Sequence, residues 1–236
     1  PSGRTRIDSV LMAQKVKNVT GFEVMPHICC RDKNAIAMRS TFLGASINDI
    51  NNFLIITGDP IPVMARQVVK SVFNFDSVGL MRIADEMNSE ALKDSPLTYG
   101  GAINQSRRRI ESEIKRVQKK MEAGAEFFLT QPVFTAEDAE RLRRVKEETG
   151  ARILCGIMQL VSRKNALFMK NEISGVNVTD EVIERYPENA DREDGENVGV
   201  ELAKEMIAAT RDFADGYYFS FPFNRTYLLK RIIQEV

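Results

Sequence analysis

The sequence lacks tryptophan, contains one histidine and three cysteines, and has no excess of either charge in its 236 residues. Lysine plus arginine and aspartate plus glutamate both total 33, so the formal net charge is zero. Such a balance argues against a nucleic-acid surface as the main role of the chain. There is also no run of about 18 apolar residues, which argues against a membrane-spanning helix.

The three cysteines fit neither a disulfide framework nor a metal site. Cys29 and Cys30 are adjacent and Cys155 is distant in sequence, which is not the paired spacing of zinc ligands. We interpret them as buried thiols in a reducing compartment. The N-terminus lacks the charged, apolar and small-residue regions of a secretory signal, so we expect a cytoplasmic protein without a metal.

What the sequence does contain is a series of short apolar runs rich in valine, isoleucine and phenylalanine. Amphipathic stretches separate them, a pattern typical of strands that are buried on both faces and connected by helices. Six strands are predicted, at residues 22–30, 53–59, 98–104, 127–133, 152–158 and 217–221. The chain therefore repeats a βα unit.

Caps and apolar stripes mark the intervening helices. A stripe within residues 110–121 predicts a helix that begins after Ser106 and stops at Gly124. Thr135 with Asp138 resembles the capping box of the next helix, which should end near residue 150. Only an acidic stretch at 187–197 is expected to lack structure. Two further stripes are Ile7, Val10 and Leu11 in a helix over 5–18, and Val198, Leu202, Met206, Ala209 and Phe213.

Repeated βα units fit either an open doubly wound sheet or a closed (β/α)8 barrel. An open sheet that binds a dinucleotide usually has a glycine-rich first turn, and no G-x-G-x-x-G sequence occurs. Polar residues instead fall at or just beyond the C-terminal ends of the apolar runs, which form the catalytic rim in a barrel. We therefore expect an α/β protein, a single TIM-type (β/α)8 barrel domain over 1–236, with six strands visible and the first two βα units missing. The rim residues are His27, Asp59, Asn104, Gln131, Gln159 and Asn224.

Five ordered segments at strand ends resemble those of a known family. They read PHICC at 26–30, ITGDP at 56–60, GAEFFLTQP at 124–132, GIM at 156–158 and FPFNR at 221–225. With this order and spacing, the chain resembles the methylenetetrahydrofolate reductase family along its whole length. The most similar variant is the bacterial type, which includes reductases fused to or complexed with other one-carbon enzymes.

The resemblance implies a barrel with two more strands before residue 1 and FAD across its C-terminal rim. It also implies reduction of methylenetetrahydrofolate to methyltetrahydrofolate, a reaction of one-carbon metabolism and methionine biosynthesis. The flavin would supply the redox chemistry, and the protein would supply binding, orientation and electrostatics. Without the missing strands two sheet edges would be exposed, so we expect residues 1–236 alone to be poorly soluble.

The family's FAD-binding positions match seven residues of this chain. Lys120 would meet a phosphate or ribitol oxygen and Glu113 a hydroxyl, although charges on an amphipathic helix are usually only solvated. We assign the lone histidine to flavin packing and not to proton transfer, because such a residue is more often a hydrogen-bonded core residue. The seven are His27, Asp59, Asn104, Gln105, Ser106, Glu113 and Lys120.

Three matches concern catalysis and the folate. Asp59 would place a fixed negative charge beside the flavin and the pterin; alternatively it forms an Asx turn or a helix cap before a proline. The Gln131 amide suits a pterin edge, which both donates and accepts hydrogen bonds; alternatively it is a solvent-facing strand end. Arg225 would bind the glutamate tail of folate as a bidentate partner; alternatively it pairs with an acid in the first turn of the last helix.

Two departures from the family leave the function partly open. The family's general acid is a glutamate on the first strand, which this chain does not contain, so these residues cannot complete proton transfer alone. Arg163 also stands where many reductases place an aromatic residue that stacks on nicotinamide. The electron donor is therefore NADH, NADPH, or an iron–sulfur or flavin partner protein, and a homo-oligomer is possible. The alternatives are a flavin-binding electron-transfer subunit of a larger complex, and a pterin-binding methyltransferase-type barrel without flavin.

Overall fold

The structure, a computed structural model, describes residues 6–173, 175–189 and 191–234. Contacts between residues divide the chain into two compact units. The first comprises residues 1–102 and 118–127, and the second comprises 103–117 and 128–236. Parallel strands alternate with helices in both units, which confirms the predicted α/β class.

The first unit holds three parallel strands, β1 (His27–Cys29), β2 (Asn52–Ile56) and β3 (Thr98–Ile103). Strand β1 pairs with β2, where His27 lies opposite Leu54, and β2 pairs with β3, where Asn52 lies opposite Thr98. The other elements are α1 (Ser9–Thr20), α2 (Ala35–Ser46), a 3-10 turn (Val63–Ala65) and α3 (Ser77–Ser89). Helix α4 (Ile110–Glu122) begins in the second unit and ends in the first.

Polar caps and an apolar core explain why the first unit folds as it does. Asp8, Asn34 and Asp76 each accept hydrogen bonds from main-chain N–H groups in the first turn of α1, α2 and α3. The rings of Phe42 on α2 and Phe53 on β2 are fully buried and meet edge to face, with centroids 5.2 Å apart. The helices therefore cover the sheet with their apolar faces.

Two details of the first unit differ from the prediction. The predicted helix over 5–18 is α1, and Thr5 lies outside the described residues. Of its predicted inward residues only Val10 is buried, whereas Ile7 is 67% exposed and Leu11 61% exposed. The first strand begins at His27, so the prediction that this histidine follows the strand at the C-terminal rim is wrong. The apolar run that precedes it contains Phe22, which is exposed and outside the strand.

The second unit also holds three parallel strands, β4 (Phe127–Pro132), β5 (Ile153–Met158) and β6 (Gly216–Ser220), with β4 beside β5 and β5 beside β6. The other elements are α5 (Ala136–Thr149), α6 (Arg163–Glu172), α7 (Asp180–Glu184), α8 (Arg192–Thr210), a 3-10 turn (Pro222–Asn224) and α9 (Leu228–Ile233). The predicted cap of α5 is confirmed, because the Thr135 hydroxyl accepts a hydrogen bond from Asp138 N and the helix ends at Gly150 in the left-handed conformation.

The acidic stretch at 187–197 is not an unstructured segment throughout. Asp191 caps α8, which begins at Arg192 and places two residues of this stretch, Gly195 and Glu196, in buried positions. A Cβ at Gly195 would overlap the carbonyl oxygen of Val161, so the helix approaches the main chain after β5 closely. The charged residues here form the first turns of a helix, and that is why the prediction of a loop is wrong.

Candidate functional site

A small pocket opens at the carboxyl ends of the three strands of the second unit. Its volume is about 260 Å³, and helix α6 contributes one wall. Most of its lining is apolar, with one amide side chain, Gln131. Pockets of this kind, apolar with a few placed polar groups, are typical of small-molecule sites. The lining residues are Gln131, Pro132, Ile157, Met158, Met169, Ile173, Val176, Tyr218 and Ser220.

A bulge in β4 sets the position of Gln131. Leu129 lies opposite Leu154 and Pro132 opposite Gly156, so three steps along β4 match two along β5. The hydroxyl of Thr130 fills the resulting gap by accepting a hydrogen bond from Gly156 N at 2.9 Å. Bulges re-aim side chains and are frequent beside active sites.

Tyr218 on β6 supports the same bulge from the neighbouring side. Its hydroxyl donates a hydrogen bond of 2.6 Å to the Thr130 carbonyl oxygen. Burial raises the pKa of Tyr218 to about 12, so the phenol stays protonated and remains a donor at neutral pH. These hydrogen bonds to Thr130 therefore fix the main chain next to Gln131.

The loop that follows β3 lies against the same strand end. The fully buried Gln105 donates from Nε2 to the carbonyl oxygens of Gln131 and Pro132, at 3.0 and 3.2 Å. Gly175 has a φ of +84°, and a Cβ there would lie 3.1 Å from Asn104 Nδ2 and 3.9 Å from the Gln131 side chain. The structure thus brings together the predicted rim residues Asn104 and Gln131, and it places Gln105 beside them.

Two buried polar atoms in this loop have no partner among the described residues. These atoms are Gln105 Oε1 and Ser106 Oγ. Buried polar atoms almost always have hydrogen-bond partners, so each exception suggests an absent ligand or water. The main-chain N–H of Ser106 donates to Asn104 Oδ1 at 3.0 Å, which fixes the loop in this form.

Glu113, on α4, contacts the loop that follows β3. It is 2% exposed, and its Oε1 accepts a hydrogen bond of 2.9 Å from Asn104 N. Its Oε2 lies 2.8 Å from Arg107 Nε, an ion pair whose angles do not make it a hydrogen bond. The carboxylate is therefore engaged with the protein and not solvated.

Arg225 lies beyond β6 in a cluster of charged and aromatic side chains. Its Nη1 is 3.2 Å from Glu196 Oε1, and its guanidinium lies 5.8 Å from the centroid of the Phe223 ring. The alternative that Arg225 pairs with an acid of the last helix is wrong in detail, because the acid belongs to α8. Arg192 Nε and the Tyr227 hydroxyl also donate to Glu196 Oε1, at 2.8 and 2.6 Å.

The ionisation of Glu196 reflects these contacts. Burial acts to raise the pKa of Glu196, but the hydrogen bonds from Arg192 and Tyr227 and the charges of Arg192 and Arg225 outweigh it and lower that pKa overall. Glu196 is therefore a carboxylate at neutral pH, and the cluster carries both signs of charge.

Three predicted residues lie in the first unit. His27 and Arg31 line a depression of about 550 Å³ beside β1. Asp59 is exposed beyond β2, and its carbonyl oxygen accepts a 3.4 Å hydrogen bond from Arg31 Nη1. Lys120 is only 5% exposed, and its ammonium donates to the Ala102 carbonyl oxygen, so its interpretation as a solvated surface charge is wrong.

Arg163, the residue that departs from the family, is held by main-chain oxygens. Its Nη1 donates to the carbonyls of Ile183 and Tyr186, at 3.1 and 3.3 Å. These oxygens lie at the C-terminal end of α7, where a helix favours a cation. Arg163 thus links the start of α6 to α7.

Sequence reasoning missed three contributors to this region. Thr130 precedes Gln131 within the segment at 124–132, but only the pairing of β4 with β5 reveals the bulge. Tyr218 carries no motif, and Glu196 lies in the stretch predicted as a loop. Among the described residues no group of three or more histidine, cysteine, aspartate or glutamate side chains could hold a metal ion. None of the described helices is long and apolar enough to span a membrane.

A family model described as methylenetetrahydrofolate reductase matches residues 1–235. The chain belongs to the methylenetetrahydrofolate reductase family. This membership supports a reductase function on a folate for the chain. It also confirms the relationship that the five strand-end segments predict. No curated protein matches the chain.

One solved structure shows the fold. A 2,3-dimethylmalate lyase of the PEP mutase/isocitrate lyase superfamily is 14% identical, with a TM-score of 0.54 over 99% of this chain and 66% of that one. This likeness confirms a fold of the TIM-barrel class and nothing further. A lyase/mutase from Burkholderia cenocepacia J2315 is 17% identical over 65% of this chain and 53% of its own, with a TM-score of 0.45. A monomeric dihydrodipicolinate synthase variant is 13% identical over 89% and 66%, with a TM-score of 0.44.

Proposed function

We propose that this reductase-family chain binds FAD and reduces 5,10-methylenetetrahydrofolate to 5-methyltetrahydrofolate. The observation that carries the proposal is the placement of Gln131 in an apolar pocket at the strand ends, at the position of the family's folate-contacting glutamine. The Gln131 amide offers a hydrogen-bond donor and an acceptor to the pterin edge, and the apolar lining of the pocket excludes water from the pterin ring. The bulge at Thr130 fixes the main chain from which this side chain projects.

The loop after β3 fits a flavin cofactor. Gln105 Oε1 and Ser106 Oγ are buried without partners, so ribitol hydroxyls would satisfy groups that the fold leaves unpaired. FAD, when bound, supplies the hydride chemistry of the reaction. Asn104 and Glu113 would keep the loop in its binding form. His27, Asp59 and Lys120, which lie in the first unit, match further FAD-binding positions of the family, and on that ground we propose them as FAD contacts, with Asp59 as the fixed negative charge.

Arg225 is proposed to bind the glutamate tail of the folate. A guanidinium has five N–H donors, and one ion pair with Glu196 leaves others for a second carboxylate. Phe223 beside it is 72% exposed and, like Asn224, has a positive φ. Such strained residues are frequent at ligand sites, which agrees with a binding role for this turn.

A second candidate is a flavin-binding subunit that receives electrons from a partner protein. Arg163 favours it, because the residue stands where many family members have an aromatic side chain that stacks on nicotinamide. Its guanidinium is engaged with two carbonyls of the α7 region. The donor is therefore proposed to be NADH, NADPH, or an iron–sulfur or flavin protein.

An absorbance spectrum of the purified full-length protein tests both candidates. We expect a flavin band at about 450 nm that disappears on chemical reduction and returns on anaerobic addition of methylenetetrahydrofolate. Bleaching by NADH or by NADPH would identify a nicotinamide donor, and a band that persists with both would favour the partner protein. If no flavin binds even after incubation with FAD, the reductase proposal is wrong and the methyltransferase-type barrel gains support.

The role of Gln131 has its own test. Gln131→Ala should raise the KM for the folate about tenfold, because a pterin group then loses its hydrogen-bond partner. Gln118→Ala, at an exposed position of α4, is the matched control and should change nothing. Equal KM values for Gln131→Ala and the control would remove Gln131 from the site.

A further inference from the structure

A buried carboxylate on α8 holds the arginine that is proposed to bind the folate tail. Glu196 is 6% exposed. Its Oε1 accepts hydrogen bonds from Arg192 Nε at 2.8 Å and from the Tyr227 hydroxyl at 2.6 Å, and it forms an ion pair with Arg225 Nη1 at 3.2 Å. Arg192 Nη2 in turn donates to the Tyr227 hydroxyl at 2.7 Å. Glu196 is thus fixed from several directions.

We propose that Glu196 is a positioning residue that orients Arg225 toward the glutamate tail and so sets the preference for glutamylated folates. This inference rests on the proposed tail-binding role of Arg225.

The physical argument is preorganisation. A free arginine side chain has many rotamers, and fixing it for a carboxylate costs affinity unless the protein has already ordered it. Here the Glu196 carboxylate and the Phe223 ring contact the guanidinium, whose side chain is only 20% exposed. A carboxylate without this many donors would be costly to bury, so Arg192 and Tyr227 are the groups that keep Glu196 in place.

The placement of Glu196 also makes its effect specific. The Gln131 pocket is lined by residues other than Glu196 and Arg225. A change at Glu196 should therefore alter recognition of the tail and leave recognition of the pterin unchanged. A merely structural residue would affect both.

The test is a double-mutant cycle in the full-length protein with FAD bound. Calorimetry would give the Kd of tetrahydrofolate and of tetrahydropteroate, which lacks the glutamate, for wild type, Glu196→Gln, Arg225→Ala and the double variant. We expect Glu196→Gln to weaken tetrahydrofolate binding about tenfold and tetrahydropteroate binding by less than about twofold. In the Arg225→Ala background the Glu196→Gln change should have no further effect.

Several outcomes would overturn the inference. If Glu196→Gln weakens the binding of both ligands equally, Glu196 has only a structural role. If it weakens the binding of neither, Glu196 does not position Arg225. If Arg225→Ala leaves the preference for the glutamate intact, the proposed tail role of Arg225 itself fails. Tyr227→Phe, which removes one donor to Glu196, is the second variant should Glu196→Gln not fold, and a smaller loss confined to tetrahydrofolate is expected from it.

Discussion

Thr130 illustrates how one hydroxyl group shapes the candidate site. It is 3% exposed and takes the place of a main-chain acceptor for Gly156 N within the bulge of β4. Thr130→Val keeps the shape but leaves that N–H buried without a partner. We expect a loss of about 1–3 kcal/mol in the free energy of unfolding, measured by urea titration. Thr130→Ser, which retains the hydroxyl, is the control and should lose much less; equal losses would rule out the hydrogen bond as the cause.

Asp138 should make stability depend on pH. Desolvation, the largest influence, raises its pKa above the ordinary 3.8 although several hydrogen bonds act to lower it. A raised pKa means that the contribution of Asp138 to stability is present below 3.8 and is lost as the pH rises through the folded value. The free energy of unfolding of wild type minus that of Asp138→Asn should therefore fall between acidic and neutral pH.

Asp212 is the matched comparison for Asp138. A hydrogen bond from Arg143 lowers the pKa of Asp212 below 3.8, so its contribution is present above the ordinary pKa and is lost as the pH falls through the lowered one. The same difference for Asp212→Asn should run in the opposite direction. If the two differences in the free energy of unfolding change in the same direction with pH, the opposite pKa shifts of Asp138 and Asp212 are wrong.

The sequence predicts the strand-end positions of the candidate residues better than their surroundings. Gln131 and Asn104 lie where strand-end reasoning predicts, because the polar residue at the end of an apolar run is visible in one dimension. The burial of Lys120 and the engagement of Glu113 are not visible there, since a charged residue on an amphipathic helix usually faces water. The pairing of Arg225 with Glu196 joins residues 29 positions apart, which no local pattern reveals.

At the scale of elements, periodicity predicts strands and helix caps well. All six predicted strands occur, and the cap at Thr135 forms as expected. The start of α8 is missed because its first turns are charged and its buried faces use glycine. Periodicity identifies a buried face from large apolar side chains. Gly195 and Gly199 have no side chain, so they give no such signal.

Close packing of α8 gives a prediction for this element. A Cβ at Gly199 would overlap the carbonyl oxygen of Leu160, and main chain cannot move aside as a flexible side chain can. Gly199→Ala should therefore destabilise the protein by about 1–3 kcal/mol or more. Gly44→Ala on α2 is the control, because nothing lies within 4 Å of its Cβ position. That change should stabilise by about 0.5–1 kcal/mol, and thermal melting of both variants would measure the difference.

At the scale of the whole chain, the order of elements is what the sequence predicts most reliably. Alternating strands and helices with polar strand ends indicate a barrel-type α/β fold, because short parallel strands need helical crossovers. Long-range features such as the bulge opposite β5 depend on register between strands, which composition does not encode. The family relationship adds the chemistry that the fold alone does not specify.

Cofactor binding should stabilise the chain as a whole. A ligand that binds only the folded state adds about 2.7 kcal/mol when present at 100 times its Kd. For a protein of this size each kcal/mol raises the Tm by about 2–4 °C, so saturating FAD should raise the Tm of the apoprotein by about 5–10 °C. Riboflavin lacks the diphosphate and adenosine and serves as the control, with a smaller shift of the Tm expected.

Ser106→Ala should reduce the Tm shift that FAD causes if the buried hydroxyl contacts the cofactor. A Tm that FAD leaves unchanged in wild type would contradict flavin binding, because linkage requires any tight ligand of the folded state to stabilise it.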